Sequence, residues 1–307
     1  MSIRGINRAH ILCSSFAFYD FEPLVGNRAK RWFDYCVSVA EEIGHPLDEG
    51  CCNPGNTKYV LLRNCKRALE KNVERLEYVE LRTSAKEDIG AYGEVEISFE
   101  NDEKTSFLGI HKNFINRDEM YKKGIDLCKI IKPKYGIFYE MPFVYSPYFY
   151  VTRAMGLAEL DDKEWNKFYN PKHVDFRKRV VSWVSLTEEF HDSITNKVYN
   201  LCTDGHLREI YPINFINENH LKYEIFSKTT LKDWILAEDH RGKLEQITDE
   251  LWAWTIEDAD LEDVTIALAK SDICLCVNKE NPHRYDYGVR PEDQIKIIPW
   301  KDRPENQ

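Results

Sequence analysis

Residues Glu94 to Phe99 alternate, with Val95, Ile97 and Phe99 on one side and the two glutamates, Glu94 and Glu96, on the other. Successive side chains of a strand point to opposite faces, so this run predicts a strand with one buried face. A polar turn, Glu100-Asn101-Asp102-Glu103, separates it from a second strand candidate, Thr105 to His111. Two such runs across a short polar turn make a hairpin, so the fold must contain antiparallel pairing.

The strongest helix signal lies upstream. Ala29, Trp32, Phe33, Cys36, Val37, Ala40 and Ile43 recur at helical spacing, Asn27 stands where a cap would, and Gly44 stands where a helix stops. Before it, His10 to Phe21 reads as a strand. After it come a loop over Glu49 to Asn56, a helix over Lys58 to Asn72 and a strand over Glu77 to Thr83. A helix then runs from Asp118 to Ile131, ended by Pro133, and a strand covers Tyr135 to Met141.

Met141 to Tyr150, MPFVYSPYFY, packs many aromatics around two prolines. Proline excludes a central strand or a helix interior. The segment suits a wedge between two domains, or a docking patch on which Tyr145 and Tyr148 would pack and hydrogen-bond. Residues 161–200 read as charged helices. Arg177-Lys178-Arg179 lies beside an acidic stretch and reads as a solvated face rather than a nucleic-acid site.

The second half gives strand, helix, strand, strand, helix, strand. Its pieces are Leu207 to Ile216 with Pro212 inside, a short helix with Leu231, Trp234 and Ile235 capped by Thr229 or Thr230, strands at Leu244 to Ile247 and Leu251 to Ile256, a helix capped by Asp260, and a strand at Ile273 to Val277. This is the split βαβ order. The expectation is an α+β fold of two ferredoxin-like modules, antiparallel sheets with helices packed on one face. The modules would span 1–150 and 151–278, and a tail, 279–307, would pack back on the body.

Charge is unevenly placed. Of a net −10, residues 1–150 carry 21 Lys+Arg against 22 Asp+Glu, and residues 151–307 carry 21 against 30. Leu231 to Asp263 holds eleven carboxylates and three bases. Such a surface repels nucleic-acid phosphates and attracts basic proteins. Nine cysteines without a disulfide framework or a signal segment suit free thiols in a reducing cytoplasm. No stretch is long and apolar enough to span a membrane.

Motifs for chemistry are sparse. Cys274-x-Cys276 lacks the second pair a zinc site needs, and Cys51-Cys52 with His45 is an incomplete ligand set. No phosphate-binding glycine loop and no nucleophile elbow occurs. Cys202 with His191 and His206 is the best Cys/His cluster, but nearness in sequence does not set a base beside a nucleophile. Glu94-x-Glu96 reads as the solvated face of a half-buried sheet. Glu257-Asp258-Ala259-Asp260 reads as helix-start chemistry plus surface charge, without the glycine of a calcium loop.

One resemblance remains. GHLREIYPINFI from Gly205, followed by TLKDWI, GKL and ELWAW, resembles the C-terminal half of bacterial immunity proteins, the antidotes of polymorphic and type VI effector toxins. It is most similar to the immunity protein 52 family, whose toxins resemble nucleases of the restriction-endonuclease fold. The likeness rests on aromatic and glycine spacing in the last third of the chain. It implies a cytoplasmic antidote that occludes a basic toxin without catalysis, cofactor, metal, nucleic acid or membrane. Acidic residues would steer the partner and aromatics would anchor it. The family carries over no individual contact; the charge and aromatic distribution of this chain gives Asp233, Glu238, Asp239, Glu257 and Asp258 with Tyr145 and Tyr148 as the contact set. The alternative is a small-molecule or nucleotide-processing enzyme of bacterial defence, with Cys202, His206, Glu94 and Glu96 as its candidates. A structural subunit of a larger assembly is a third reading.

Overall fold

A computed structural model describes residues 12–84, 94–142, 147–148, 202–269, 271 and 273–274 of the chain. The elements of its first half are β1 (Leu12–Tyr19), α1 (Gly26–Glu42), β2 (Glu49–Asn53), β3 (Asn56–Leu61), α2 (Leu62–Asn72), β4 (Tyr78–Arg82), β5 (Val95–Glu100), β6 (Thr105–His111), α3 (Arg117–Ile131) and β7 (Tyr135–Pro142). Those of the second are β8 (Ile213–Asn217), α4 (Glu218–Lys222), β9 (Glu224–Phe226), β10 (Thr229–Thr230), α5 (Leu231–Leu236), β11 (Lys243–Thr248), β12 (Leu251–Thr255) and α6 (Leu261–Ala269).

The strands expected in two modules join in a single antiparallel sheet of ten strands, ordered β11-β12-β8-β7-β1-β6-β5-β4-β2-β3. The seam is β7 against β8, where Ile137 lies opposite Asn214. A fourth strand of the second module would lie beside β8, and β7 occupies that place. Of the expected strand at Ile273 to Val277, Cys274 makes one parallel bridge to Leu207, and 275–277 lie outside the described residues.

Helices cover both faces of the sheet, not one. Phe16 and Phe18 of β1 belong to a core that includes Trp32 and Phe33 of α1, Leu69 of α2 and Leu127 of α3. Ala17 and Tyr19, pointing the other way, belong to a second core with Leu221 of α4, Trp234 of α5 and Leu268 of α6. A buried strand with apolar residues on both sides fixes neither face for its helices, so periodicity could not sort them. Trp254 and Trp252 share that second face, as their spacing predicts.

Local differences have local causes. The chain from Asn56 pairs with β2 as an edge strand before turning into α2, so the first turn of the expected helix is extended. The strand expected from Leu207 begins only at Ile213, just past Pro212, since proline cannot donate to the ladder. The Pro212 carbonyl instead accepts from the Ile256 amide at 2.9 Å. α1 is capped at Val25 without a side-chain bond, not at Asn27. α3 opens on a full capping box between Asn116 and Glu119.

Candidate functional site

The acidic residues collect at one end of the sheet. Among the described residues β11 is the outermost strand on its side, and Lys243 at its start pairs with Thr255 at the end of β12. Glu238 and Asp239 run into β11 through a single 3-10 turn, and Glu257 and Asp258 leave β12 at the same end. Asp233 lies in the first turn of α5 and accepts from the Thr230 amide-capping hydroxyl at 2.7 Å. All five are exposed.

Arg241 organises this end. Its guanidinium stacks over Trp234 at 4.5 Å, donates to the Trp234 carbonyl at 3.0 Å and pairs with Glu238. The Arg241 carbonyl in turn accepts from the Trp254 indole at 2.8 Å. Gly242 has φ +99, and a Cβ there would meet the Thr255 carbonyl at 2.4 Å, so only glycine permits the close approach. Leu236, beside these carboxylates in sequence, is 64% exposed.

Tyr148 lies elsewhere. It is half-buried against Phe107 of β6, edge to face at 5.5 Å, and its hydroxyl pairs with Glu100 of β5. β5 stands five strands from β12, roughly 24 Å across the sheet at the usual strand spacing. The structure therefore does not bring Tyr148 to the acidic hairpin. Tyr145, Arg177-Lys178-Arg179, His191, Cys276 and the tail lie outside the described residues.

The enzyme candidates fall in two places, Cys202 and His206 at the backbone around His220, and Glu94 and Glu96 at β5. Cys202 is buried, and His206 Nε2 lies 3.3 Å from the Tyr223 hydroxyl. Glu94 pairs with His45 at 3.0 Å. Among the described residues no group of three or more His, Cys, Asp or Glu side chains could hold a metal ion.

Glu96 overturns its sequence reading. It does not sit on a solvated face but is 6% exposed. The register sets Glu49, Arg82 and Glu96 in one row across β2, β4 and β5, with Glu80 on the same face as a diagonal neighbour. Arg82 Nε donates to Glu49 at 2.7 Å and its guanidinium lies over the Tyr59 ring at 3.4 Å. Burial first, and then the charge of Glu80, pushes the Glu96 carboxyl up to about 8. Burial, with Glu100 and Glu49 adding to it, pushes Glu80 up to about 7, and Arg82 opposes both shifts. Such a pair can hold and exchange a proton near neutrality. Alternation alone hid it, because it cannot tell a solvated polar face from a covered one.

A cleft of about 560 Å³ opens between the β1–α1 and α3–β7 connections, the β8–α4 turn and the β11–β12 turn, lined by Asp20, Glu22, Glu218, Asp249, Glu250 and Lys132 among others. Asp20 is held below its usual carboxylate range by Lys134 and Lys104, against the opposing effect of burial.

No protein-family model and no curated protein matches the chain. Among solved structures, the Pseudomonas aeruginosa T6SS protein PA0821 is similar at 12% identity with a TM-score of 0.49, over 95% of this chain and 79% of that one. No helix among the described residues is long and apolar enough to cross a membrane.

Proposed function

We propose that this protein is an immunity-type antidote that binds a basic bacterial toxin and occludes it without catalysis. One observation carries the reading. Four exposed carboxylates, Glu238, Asp239, Glu257 and Asp258, flank one end of the β11–β12 hairpin, with Asp233 exposed on the neighbouring α5, and β11 is the outermost strand among the described residues. A cationic surface is drawn to such an end by long-range attraction, and the edge offers backbone groups once contact is made. The resemblance of Gly205 to Trp254 to immunity proteins of polymorphic and type VI systems points the same way, with a nuclease as the toxin class.

The test is co-expression with the product of the adjacent gene, scored by survival and by size-exclusion chromatography. Rescue with a stoichiometric complex supports the antidote. A harmless neighbour, or rescue without a complex, removes it.

A second reading rests on the Glu80–Glu96 pair, which suits acid–base chemistry on a small molecule or nucleotide. It requires turnover that is lost in Glu96→Gln. Unchanged turnover in that variant ends it.

A further inference from the structure

Two imidazoles enclose one phenyl ring where β6 passes into α3. The His45 ring stacks on Phe114 with centroids 3.4 Å apart and planes 11° apart, and the His111 ring stacks on it at 4.6 Å and 24°. A ring at 3.4 Å fills the face it covers, so the imidazoles take opposite faces of Phe114. Phe114 ends the short turn Lys112–Phe114, and His111 caps that turn. Its Nδ1 accepts from the Asn113 amide at 3.1 Å. A ring nitrogen that accepts carries no proton, so neutral His111 has its proton on Nε2.

Several elements present charged or titratable groups to this cluster. Cys13 of β1 is the ladder partner of His111, and burial pushes its thiol far above the ordinary value, so it stays neutral. Glu94, just ahead of β5, accepts from the His111 amide through its backbone carbonyl at 2.9 Å, and its carboxylate lies 3.0 Å from His45 Nδ1. Lys112 on the turn donates to Glu140 of β7 at 2.6 Å, and Arg117 of α3 lies 3.9 Å from the same carboxylate. Burial holds the His111 imidazole below its ordinary value. The charge of Glu94 opposes this, and that of His45 adds to it.

The two histidines answer acid differently. His45 Nδ1 faces an acceptor, the Glu94 carboxylate, and keeps that bond when the ring is charged. His111 Nδ1 faces a donor. Once protonated it has no lone pair for the Asn113 amide, and two N–H groups oppose each other across 3.1 Å. Either the turn opens or the ring swings off Phe114.

We propose that His111 is an acid-released latch on the β6–α3 connection: unprotonated at Nδ1, it holds the Lys112–Phe114 turn closed with Phe114 between two imidazoles, and its protonation frees the turn. The folded protein disfavours the proton on His111. The latch therefore contributes stability above the ordinary histidine value, and this is lost as pH falls through the lower value of the folded protein. The turn runs into α3, whose Arg117 donates to Asp258 at 2.8 Å, so the released segment adjoins a carboxylate of the acidic end. The latch does not rest on the antidote reading.

Nuclear magnetic resonance on the full-length protein tests it twice. Nitrogen spectra of the labelled imidazoles near neutral pH should show His111 protonated at Nε2 and bare at Nδ1. The opposite tautomer overturns the proposal in the parent protein, whatever any variant does. Overhauser contacts from the Phe114 ring to both imidazoles should be present at about pH 7.5 and weaken several-fold by about pH 5, a span that brackets the ordinary histidine value. Contacts that persist unchanged overturn the latch. His111→Asn offers the Asn113 amide a side-chain oxygen that acid in this range cannot block, so its Phe114–His45 contact should survive the same span. An equal loss in His111→Asn would assign the opening to other groups and overturn the role of His111.

Discussion

Arg117 Nη1 donates to Asp258 Oδ1 at 2.8 Å, fastening the first turn of α3 to the connection that follows β12. Arg117 also lies 3.9 Å from Glu140 and 5.8 Å from the Phe138 ring centroid. The Asp258 carboxylate is 63% exposed, so water screens the pair. A double-mutant cycle of Arg117→Ala with Asp258→Asn, followed by urea unfolding, should return a coupling of about 0.2–1 kcal/mol. A coupling above about 3 kcal/mol would show a desolvated pair and a different packing of this corner.

The same bridge ranks the acidic residues as steering groups. Asp258 is already answered by Arg117, and Glu238 by Arg241. Asp239 and Glu257 make no salt bridge among the described residues. If the proposed toxin is the partner, reversing Asp239 and Glu257 together should slow association with it on the order of tenfold at low salt, and much less at high salt. Asp258→Asn should slow it less. Equal on-rates for all three proteins, by stopped-flow or surface resonance, would clear this end of the sheet of any steering role.

Much of this fold is legible in the sequence, and what is not has a physical reason. Strict alternation over Val95, Ile97 and Phe99 predicts β5, and the polar turn predicts its pairing with β6. The helical spacing from Ala29 predicts α1. Neither pattern says how strands from distant parts of the chain join, so β7 against β8 cannot be foreseen. The acidic hairpin end follows from composition because its residues are near in sequence. The Glu80–Glu96 pair does not, since it depends on the register of β4 against β5 and on what covers that face.

That pair sets a pH dependence. The Glu96 carboxyl is raised from about 4.5 to about 8 in the folded protein, so between these values the folded state holds a proton that the unfolded state has lost. Stability from this group is fully present below about 4.5 and is lost as pH rises through about 8. The unfolding free energy, from urea titrations at several pH values, should fall across that window. Glu96→Gln keeps the neutral shape without the charge. It should flatten the fall and raise stability by at least ~1 kcal/mol above the upper value. An identical slope in the variant would show that Glu96 is ionised in the folded protein throughout.

Gly124 decides between two opposed effects. In a helix interior, glycine to alanine ordinarily stabilises by about 1 kcal/mol. In α3, however, a Cβ at this position would meet Phe16 Cζ at 2.6 Å and Cε2 at 2.7 Å. The Phe16 ring has little room to yield, because Phe138, Phe215 and Phe18 surround it with centroids at 5.1, 5.6 and 5.7 Å. Overpacking of a tight core costs about 1–3 kcal/mol and should outweigh the propensity gain. Gly124→Ala should therefore lower the unfolding free energy, and adding Phe16→Leu should recover part of the loss, since residues in contact are not additive. If Gly124→Ala alone is as stable as the parent protein, α3 sits farther from β1 than the ring contacts require.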